Sequence, residues 1–459
     1  MQVLERLIHS AHSLVWGPVL LAAFLGAGLW FTCGSGFFQV RRFGLWQRRT
    51  FFTLFRRGKA EGGGKAISQL QAMTTALAAS LGTGNIVGVA GALIVGGPGA
   101  IFWMWISAML GMMTSFAENA LGVRYRSRGE DGSYSGGPMA YMEHGLGFRW
   151  MAVLFAVFCT MASFGIGNMT QGNSAATALE SQFGLPPAVC GLLFAVLFAA
   201  VSTGGITRIA RVTEKLIPFL AVGYLAAGAV IILFNYRRII PSLAAIVSNA
   251  FDWRSAAGGF FGSAMMRALR CGTARGVFSN EAGMGSAVFA HCAAENGNPA
   301  EQGMWGMFEV FADTIVMCTV TALVILTSGV PFDSATDPAA LSTQAFSTLF
   351  GRAGGGLVAA GVTLFAFATL TGWSYFGEQS AAYLFGPRAA KPYRVLFTAL
   401  VFVGCVTKPA LAWELSDLFN GLMAVPNLIA ILSLSGEVFR ILREYLTPAG
   451  ECEIIRPKR

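Results

Sequence analysis

Apolar residues run along this chain in long unbroken stretches, and polar residues collect between them. A helix needs about 20 consecutive apolar residues to cross the hydrocarbon core of a bilayer, and most of these stretches are of that order. Transmembrane barrels instead show segments of about ten residues with alternating polarity. The pattern predicts an all-α polytopic membrane protein of about eleven helices, at 14–33, 67–95, 101–123, 150–179, 187–203, 212–234, 256–275, 303–327, 356–385, 393–406 and 418–441. They are numbered segments 1 to 11 below. Segment 7 has the weakest apolar signal, because it carries Arg267 and Arg270.

Composition agrees with a bilayer as solvent. Of the 459 residues, 54% are hydrophobic and 12% are charged, against about 25% charged in soluble domains. The net charge of +9 is informative through its distribution, since Lys and Arg stay on the cytoplasmic side of short loops. Arg41 to Lys59, Arg124 to Arg128, Arg208 to Lys215, Arg388 to Arg394 and the tail from Arg440 occupy alternate connections. Arg237, Arg238 and Arg254 are the exception. This pattern is expected to place the N-terminus outside and the C-terminus in the cytoplasm. The N-terminal run lacks the ordered features of a cleaved signal, so it is expected to stay as a helix. No folded soluble surface with a basic patch is available for nucleic acid.

Eight cysteines are present, none in a CxxC pair. Cysteine in an apolar run behaves as a small hydrophobe, so neither a disulfide framework nor a metal site is expected. The four histidines, His9, His12, His144 and His291, are scattered. No nucleophile–base constellation is visible, and an enzyme is not expected. No phosphate-binding G-x-x-x-x-G-K-[ST] motif is present, so transport would draw on an ion gradient.

Two segments look broken. Segment 2 contains Gly82-Thr83-Gly84-Asn85-Ile86-Val87-Gly88, and segment 7 contains Gly258, Gly259 and Gly262. Each glycine weakens a helix by about 1 kcal/mol. Non-helical backbone at membrane depth survives only where protein or a watery cavity covers it. The two segments are five apart, the spacing of two inverted five-helix repeats with a binding site at their interface. The expected organisation is one transmembrane domain: an extra helix at 14–33, a first repeat over 66–235, a second over 254–442, and a tail at 443–459. The run from Gly82 is not a dinucleotide fingerprint, since the spacing is wrong and no strand precedes it. Freed N–H groups there hold a carboxylate, and freed carbonyls a cation; the alternative is close helix packing through small residues.

These residues carry a resemblance. Leu81 to Ala90, Gly96-Gly97-Pro98-Gly99, Gly136-Gly137-Pro138-Met139, Gly165 to Ser174, Arg208-Ile209-Ala210-Arg211, Ser279 to Ser286 and Gly372 to Glu378 follow one another in order. Together they resemble the alanine or glycine:cation symporter family over about 15–443. The resemblance implies the five-plus-five inverted repeat of the neurotransmitter:sodium symporters, with one extra N-terminal helix. It also implies a monomer in membrane lipid, without cofactor, that takes up alanine or glycine with Na⁺, or less often with H⁺. Ala140-Tyr141 and Cys271 depart from the aromatic residues usual in the family.

The implied substrate site comprises Thr83, Gly84, Asn85, Gln171 and Trp373, with Phe261 and Met265 as further walls. The implied Na⁺ site comprises backbone near Gly82 and Asn85 together with Thr369. Each has a structural alternative. Gln171 bonds a neighbouring helix, Trp373 packs, and Thr369 bonds back to its own helix. Four acids, Glu118, Glu309, Asp313 and Glu378, lie in or near spans, where a charge is costly. Asp313 is either a proton site or the partner of an arginine. Glu281 and His291 are expected in a cytoplasmic connection.

Overall fold

A computed structural model describes residues 2–53, 67–129, 134–251, 263–407 and 410–447. Nearly all of it is helical. In chain order the main helices are α1 Gln2–Val15, α2 Pro18–Gly34, α3 Gln69–Ser80, α4 Val87–Gly96 and α5 Gly99–Tyr125. Then come α6 Arg149–Phe164, α7 Thr170–Phe183, α8 Pro187–Ser202, α9 Gly205–Phe234 and α10 Ile239–Ala250. The second half has α11 Ser263–Asn280, α12 Val288–Cys292, α13 Pro299–Val310, α14 Thr319–Ser328 and α15 Pro338–Phe350. It closes with α16 Arg352–Phe385, α17 Ala390–Val406, α18 Ala410–Ser433 and α19 Ser435–Leu446. Wide π-type turns at Gly165–Met169 and Phe311–Cys318 join α6 to α7 and α13 to α14.

Among the described residues, eight helices are long and apolar enough to cross a membrane. They correspond to expected segments 1, 3, 4, 6, 8, 9, 10 and 11. Segment 5 is the shorter apolar helix α8. Segment 2 is broken into α3 and α4, of 12 and 10 residues. At 1.5 Å per residue neither crosses a core of about 30 Å by itself. Ser68 starts α3 with a capping box: its Oγ accepts from the Gln71 N–H and its own N–H donates to Gln71 Oε1, each at 3.1 Å. The α3 helix stops at Leu81, and a single tight turn at Thr83–Asn85 precedes α4.

Segment 7 runs on to Asn280, past its expected end at 275. Gly258, Gly259 and Gly262 lie outside the described residues. Within the described chain the interruption comes after Asn280, where residues 281–287 separate α11 from α12. Glu281 there has a left-handed φ of 56°, costly for a residue with a Cβ and held by its surroundings. The two broken segments lie side by side. Helix α4 packs on α11 and α3 packs on α12, with a bridge between Ile67 and Ala294. Segment 11 also ends earlier than expected, at Ser433; Ser435 opens the separate helix α19.

Helices α5, α9, α13 and α16 pack against these broken segments. The bundle is tight where small residues allow it. A Cβ on Gly377 would lie 2.0 Å from the Tyr393 hydroxyl and 2.2 Å from Ser163 Oγ. At the periphery, α8 and α9 expose Leu192, Val196, Phe219, Val222 and Leu233, as lipid-facing helices do. One end gathers the basic connections. Arg124 and Arg440 pair with Glu437, Arg49 pairs with Glu301, and Arg126 donates to the carbonyls of Cys292, Ala294 and Asn296.

Candidate functional site

The interruption of α3–α4 frees backbone groups in the middle of the bundle. The N–H groups of Thr83 and Gly84 find no backbone acceptor among the described residues. N–H groups left over at the start of a helical turn suit an anion. Phe278 and Ser279 of α11 lie against Gly84, 3.7 and 3.8 Å from where its Cβ would be.

Gly82 makes the closest approach. A Cβ there would sit 2.9 Å from Thr369 Oγ1 of α16 and 3.4 Å from Gln171 Oε1 of α7. The missing side chain therefore lets three segments converge on one point. Thr369 Oγ1 lies 3.5 Å from the Leu81 carbonyl and 3.1 Å from that of Phe365. It bonds back to its own helix and also faces the unwound stretch. Gln171 donates through Nε2 to the Ile166 carbonyl at 3.1 Å, which the π-type turn leaves free. Its Oε1 is buried with no hydrogen-bond partner.

Asn85 turns the other way. Its Nδ2 donates to Asp313 Oδ1 at 2.7 Å and to Ser279 Oγ at 3.1 Å, while its Oδ1 accepts from the Gly82 N–H at 3.2 Å. Asp313 accepts on Oδ2 from Ser279 at 2.8 Å and Thr314 at 2.7 Å. No arginine pairs with Asp313 among the described residues. Hydroxyl and amide donors surround the carboxyl instead, as a buried carboxyl requires.

The interruption at 281–287 is anchored by side chains. Trp373 of α16, buried beside Gly167, donates its indole N–H to Glu281 Oε1 at 3.1 Å. Ser286 donates to Glu281 Oε2. Asn427 donates both to Glu118 and to the Gly283 carbonyl, and accepts from Tyr141. Glu309 accepts from Ser80 Oγ, at the end of α3, and meets His291 Nε2 of α12 at 3.2 Å. Glu281 and His291 are thus buried at 7% and 0% exposure, Glu281 in the connection 281–287 and His291 on the short helix α12 that follows it. Glu378 is held by Arg394 through two contacts of 2.6 Å, a structural ion pair.

Of the residues expected at the site, the structure brings together Gly82, Thr83, Gly84, Asn85, Gln171 and Thr369, with Trp373 one turn along from Thr369. Asn85 faces Asp313 and not Thr369. Met265 stands apart: it precedes Asn280 by fifteen positions, about 22 Å along α11. Phe261 lies outside the described residues.

Comparison with known proteins decides the family. Residues 1–453 match the profile described as the sodium:alanine symporter family. The chain belongs to that family. The sodium/alanine symporter AgcS of Methanococcus maripaludis is 43% identical over 440 residues, covering 94% of this chain and 95% of the relative. The probable sodium/glutamine symporter GlnT of Bacillus subtilis is 40% identical, covering 97% and 91%. As a sodium:alanine symporter family member the protein is a multi-pass membrane transporter and not an enzyme. Its fold is that of the crystal structure of MhsT in complex with L-phenylalanine. The TM-score is 0.59 at 14% identity, covering 84% of this chain and all of that one.

Sequence reasoning about the family site left out Ser279, Thr314, Ser80 and the buried placement of His291. One signal was available. Glu309 and Asp313 are four apart, on one helix face, so both acids had to turn into the bundle together.

Proposed function

We propose that this sodium:alanine symporter family member couples Na⁺ entry to uptake of a small neutral amino acid, alanine or glycine, by alternating access. The observation that carries this reading is the convergence of Gln171 and Thr369 on the unwound backbone at Gly82. The free N–H groups of Thr83 and Gly84, with the second N–H of Gln171, suit a substrate carboxylate. The Leu81 carbonyl and the Thr369 hydroxyl are hard oxygen donors, suited to a small cation. Asn85 serves both by fixing the unwound backbone through Gly82 and Asp313. The buried indole of Trp373, set between Gly167 and Glu281, bounds the site and disfavours long side chains. A single methylene is worth about 1–3 kcal/mol in such a pocket, so alanine and glycine compete.

The names of the relatives support a sodium-coupled amino-acid transporter and differ in substrate, alanine for AgcS and glutamine for GlnT. A proton-coupled version is the second reading. It is favoured by Asp313, an acid next to the site without a cationic partner among the described residues, and by YrbD of Bacillus subtilis, named a putative sodium/proton-dependent alanine carrier. The basic end of the bundle supports a cytoplasmic C-terminus and an external N-terminus.

The test is uptake of radiolabelled alanine into proteoliposomes under an inward Na⁺ gradient, with an inward choline gradient as control. Accumulation with Na⁺ alone, competed by glycine and not by leucine, is expected. Accumulation driven by a proton gradient without Na⁺ moves the cation assignment to Asp313. No accumulation under either gradient, with folded protein, ends the alanine/glycine reading.

A further inference from the structure

A cavity of about 320 Å³ opens between α1, α2, α11 and α18. It is lined along one face of α11 by Arg267, Arg270, Cys271, Arg275 and Phe278. The spacing 267, 270, 271, 274, 275, 278 is the stripe that one side of a helix presents. This explains how a segment with three arginines lies within a membrane protein: charged residues there face a watery cavity or the bundle interior. None of the three arginines has a hydrogen bond or ion pair with a described residue, and Arg275 sits 5.7 Å over the Phe278 ring. On the opposite wall Asp417 of α18 meets His12 of α1 at 3.6 Å. The floor reaches the central site, because Phe278 lines the cavity and also lies against Gly84.

We propose that this cavity is an entry subsite for the zwitterionic head of an amino acid, whose carboxylate is drawn by the arginine row of α11 and whose ammonium is taken by Asp417. The proposal rests on the amino-acid transport reading given above. Three guanidinium groups without hydrogen-bonding or ionic partners among the described residues, in one cavity with the carboxylate of Asp417, make a chamber of positive potential. Such a chamber concentrates anionic groups and raises their arrival rate, in a way that salt weakens. Guanidinium forks match a carboxylate in shape as well as charge. Asp417 adds what a simple anion lacks, a contact for the amino group. Phe278, with Arg275 5.7 Å over its ring, stands between this subsite and Gly84, so the carboxylate passes from one set of donors to the next. His12 shares Asp417 and ties α1 to the rim.

Cys271 provides a readout that does not depend on transport. It lines the cavity half-buried, and the other described cysteines are buried apart from Cys33. In a Cys33→Ser, Cys452→Ser background, the labelling rates of Cys271 by an anionic sulfonatoethyl and a cationic trimethylammonioethyl methanethiosulfonate are compared, each relative to a free thiol. A change in thiolate fraction alters both rates equally and leaves their ratio unchanged. The expected ratio favours the anionic reagent by about tenfold, and Arg270→Gln with Arg275→Gln brings it close to one while Arg→Lys at both keeps most of it. Alanine is expected to protect Cys271 better than acetate does, and Asp417→Asn to erase that difference. A ratio near one in the parent protein, or a ratio untouched by the arginine substitutions, overturns the subsite, as does alanine that fails to protect. Protection by alanine without any alanine accumulation in proteoliposomes upholds the subsite and ends the symport reading instead.

Discussion

Asn85 Nδ2 lies 2.7 Å from Asp313 Oδ1, and this contact joins the first unwound stretch to the π-type turn between α13 and α14. Both residues belong to interrupted helices, where backbone partners are scarce. Their side chains supply part of the missing satisfaction: Asn85 Oδ1 also caps the Gly82 N–H. The fixed shape of the stretch from Leu81 to Ile86 therefore depends on an acid more than two hundred residues away in the chain.

Replacing Asn85 with alanine removes a donor from Asp313 and leaves the Gly82 N–H with only the Ser80 carbonyl, at 2.8 Å. A buried group left without its partner costs about 1–3 kcal/mol. Thermal melting in detergent is expected to fall by a corresponding amount, and alanine uptake by at least about tenfold, since each 1.4 kcal/mol is a factor of ten. Melting and uptake that both match the parent protein would remove Asn85 from this role.

Thr369→Val keeps the volume of the side chain and deletes the hydroxyl that faces the Leu81 carbonyl. The half-saturating Na⁺ concentration for uptake is expected to rise by about tenfold, for roughly 1.4 kcal/mol of lost cation binding. Thr369→Ser retains an oxygen and is expected to stay close to the parent. Equal Na⁺ dependence for valine and threonine would take Thr369 out of the cation site.

Trp373→Phe keeps a ring against Gly167 and loses only the donor to Glu281 Oε1. Uptake is expected to slow while selectivity for small amino acids persists. Trp373→Ala opens the wall as well, so that glutamine begins to compete with labelled alanine. Competition profiles of the two variants separate the hydrogen bond from the wall.

Close packing has its own test. Gly377→Ala forces a Cβ into the Tyr393 hydroxyl and Ser163, and overpacking of this kind costs about 1–3 kcal/mol. Gly88→Ala meets nothing within 4 Å and gains helix propensity, so its melting is expected to hold or rise. The order of the two melting temperatures checks the packing directly.

At the basic end, burial alone would raise the Glu437 carboxyl. Hydrogen bonds from Tyr125 and Arg124, with the charges of Arg124 and Arg440, outweigh it and hold the group below the usual glutamate value. A depressed carboxyl stabilises the fold fully above its unfolded pKa, about 4.3, and the contribution is lost as pH falls through the lower folded value. Docking of α19, followed by proteolysis at its junction after Ser433, is expected to weaken below about pH 4.3 in the parent. In Glu437→Gln it is expected to be weaker already at neutral pH.

The sequence by itself determined the solvent, the helical class and the family. Apolar runs of spanning length leave backbone groups no choice but helix in lipid, and the ordered blocks from Leu81 to Glu378 carry the family. It also located the first interruption, because glycines weaken a helix wherever they stand. The second interruption was not legible. Glu281 adopts its left-handed backbone where Ser286, Trp373 and the clamp of Asn427 and Glu118 around Gly283 hold that stretch, and all of these but Ser286 come from distant parts of the chain. For the same reason Met265 seemed close to the site in sequence and is about 22 Å along the helix from the interruption. Which freed group meets which side chain, Thr369 on Gly82 or Asn85 on Asp313, is a matter of how helices cross. Tertiary packing decides that, because hydrogen-bond reach is about 3 Å and sequence order carries no distances on that scale.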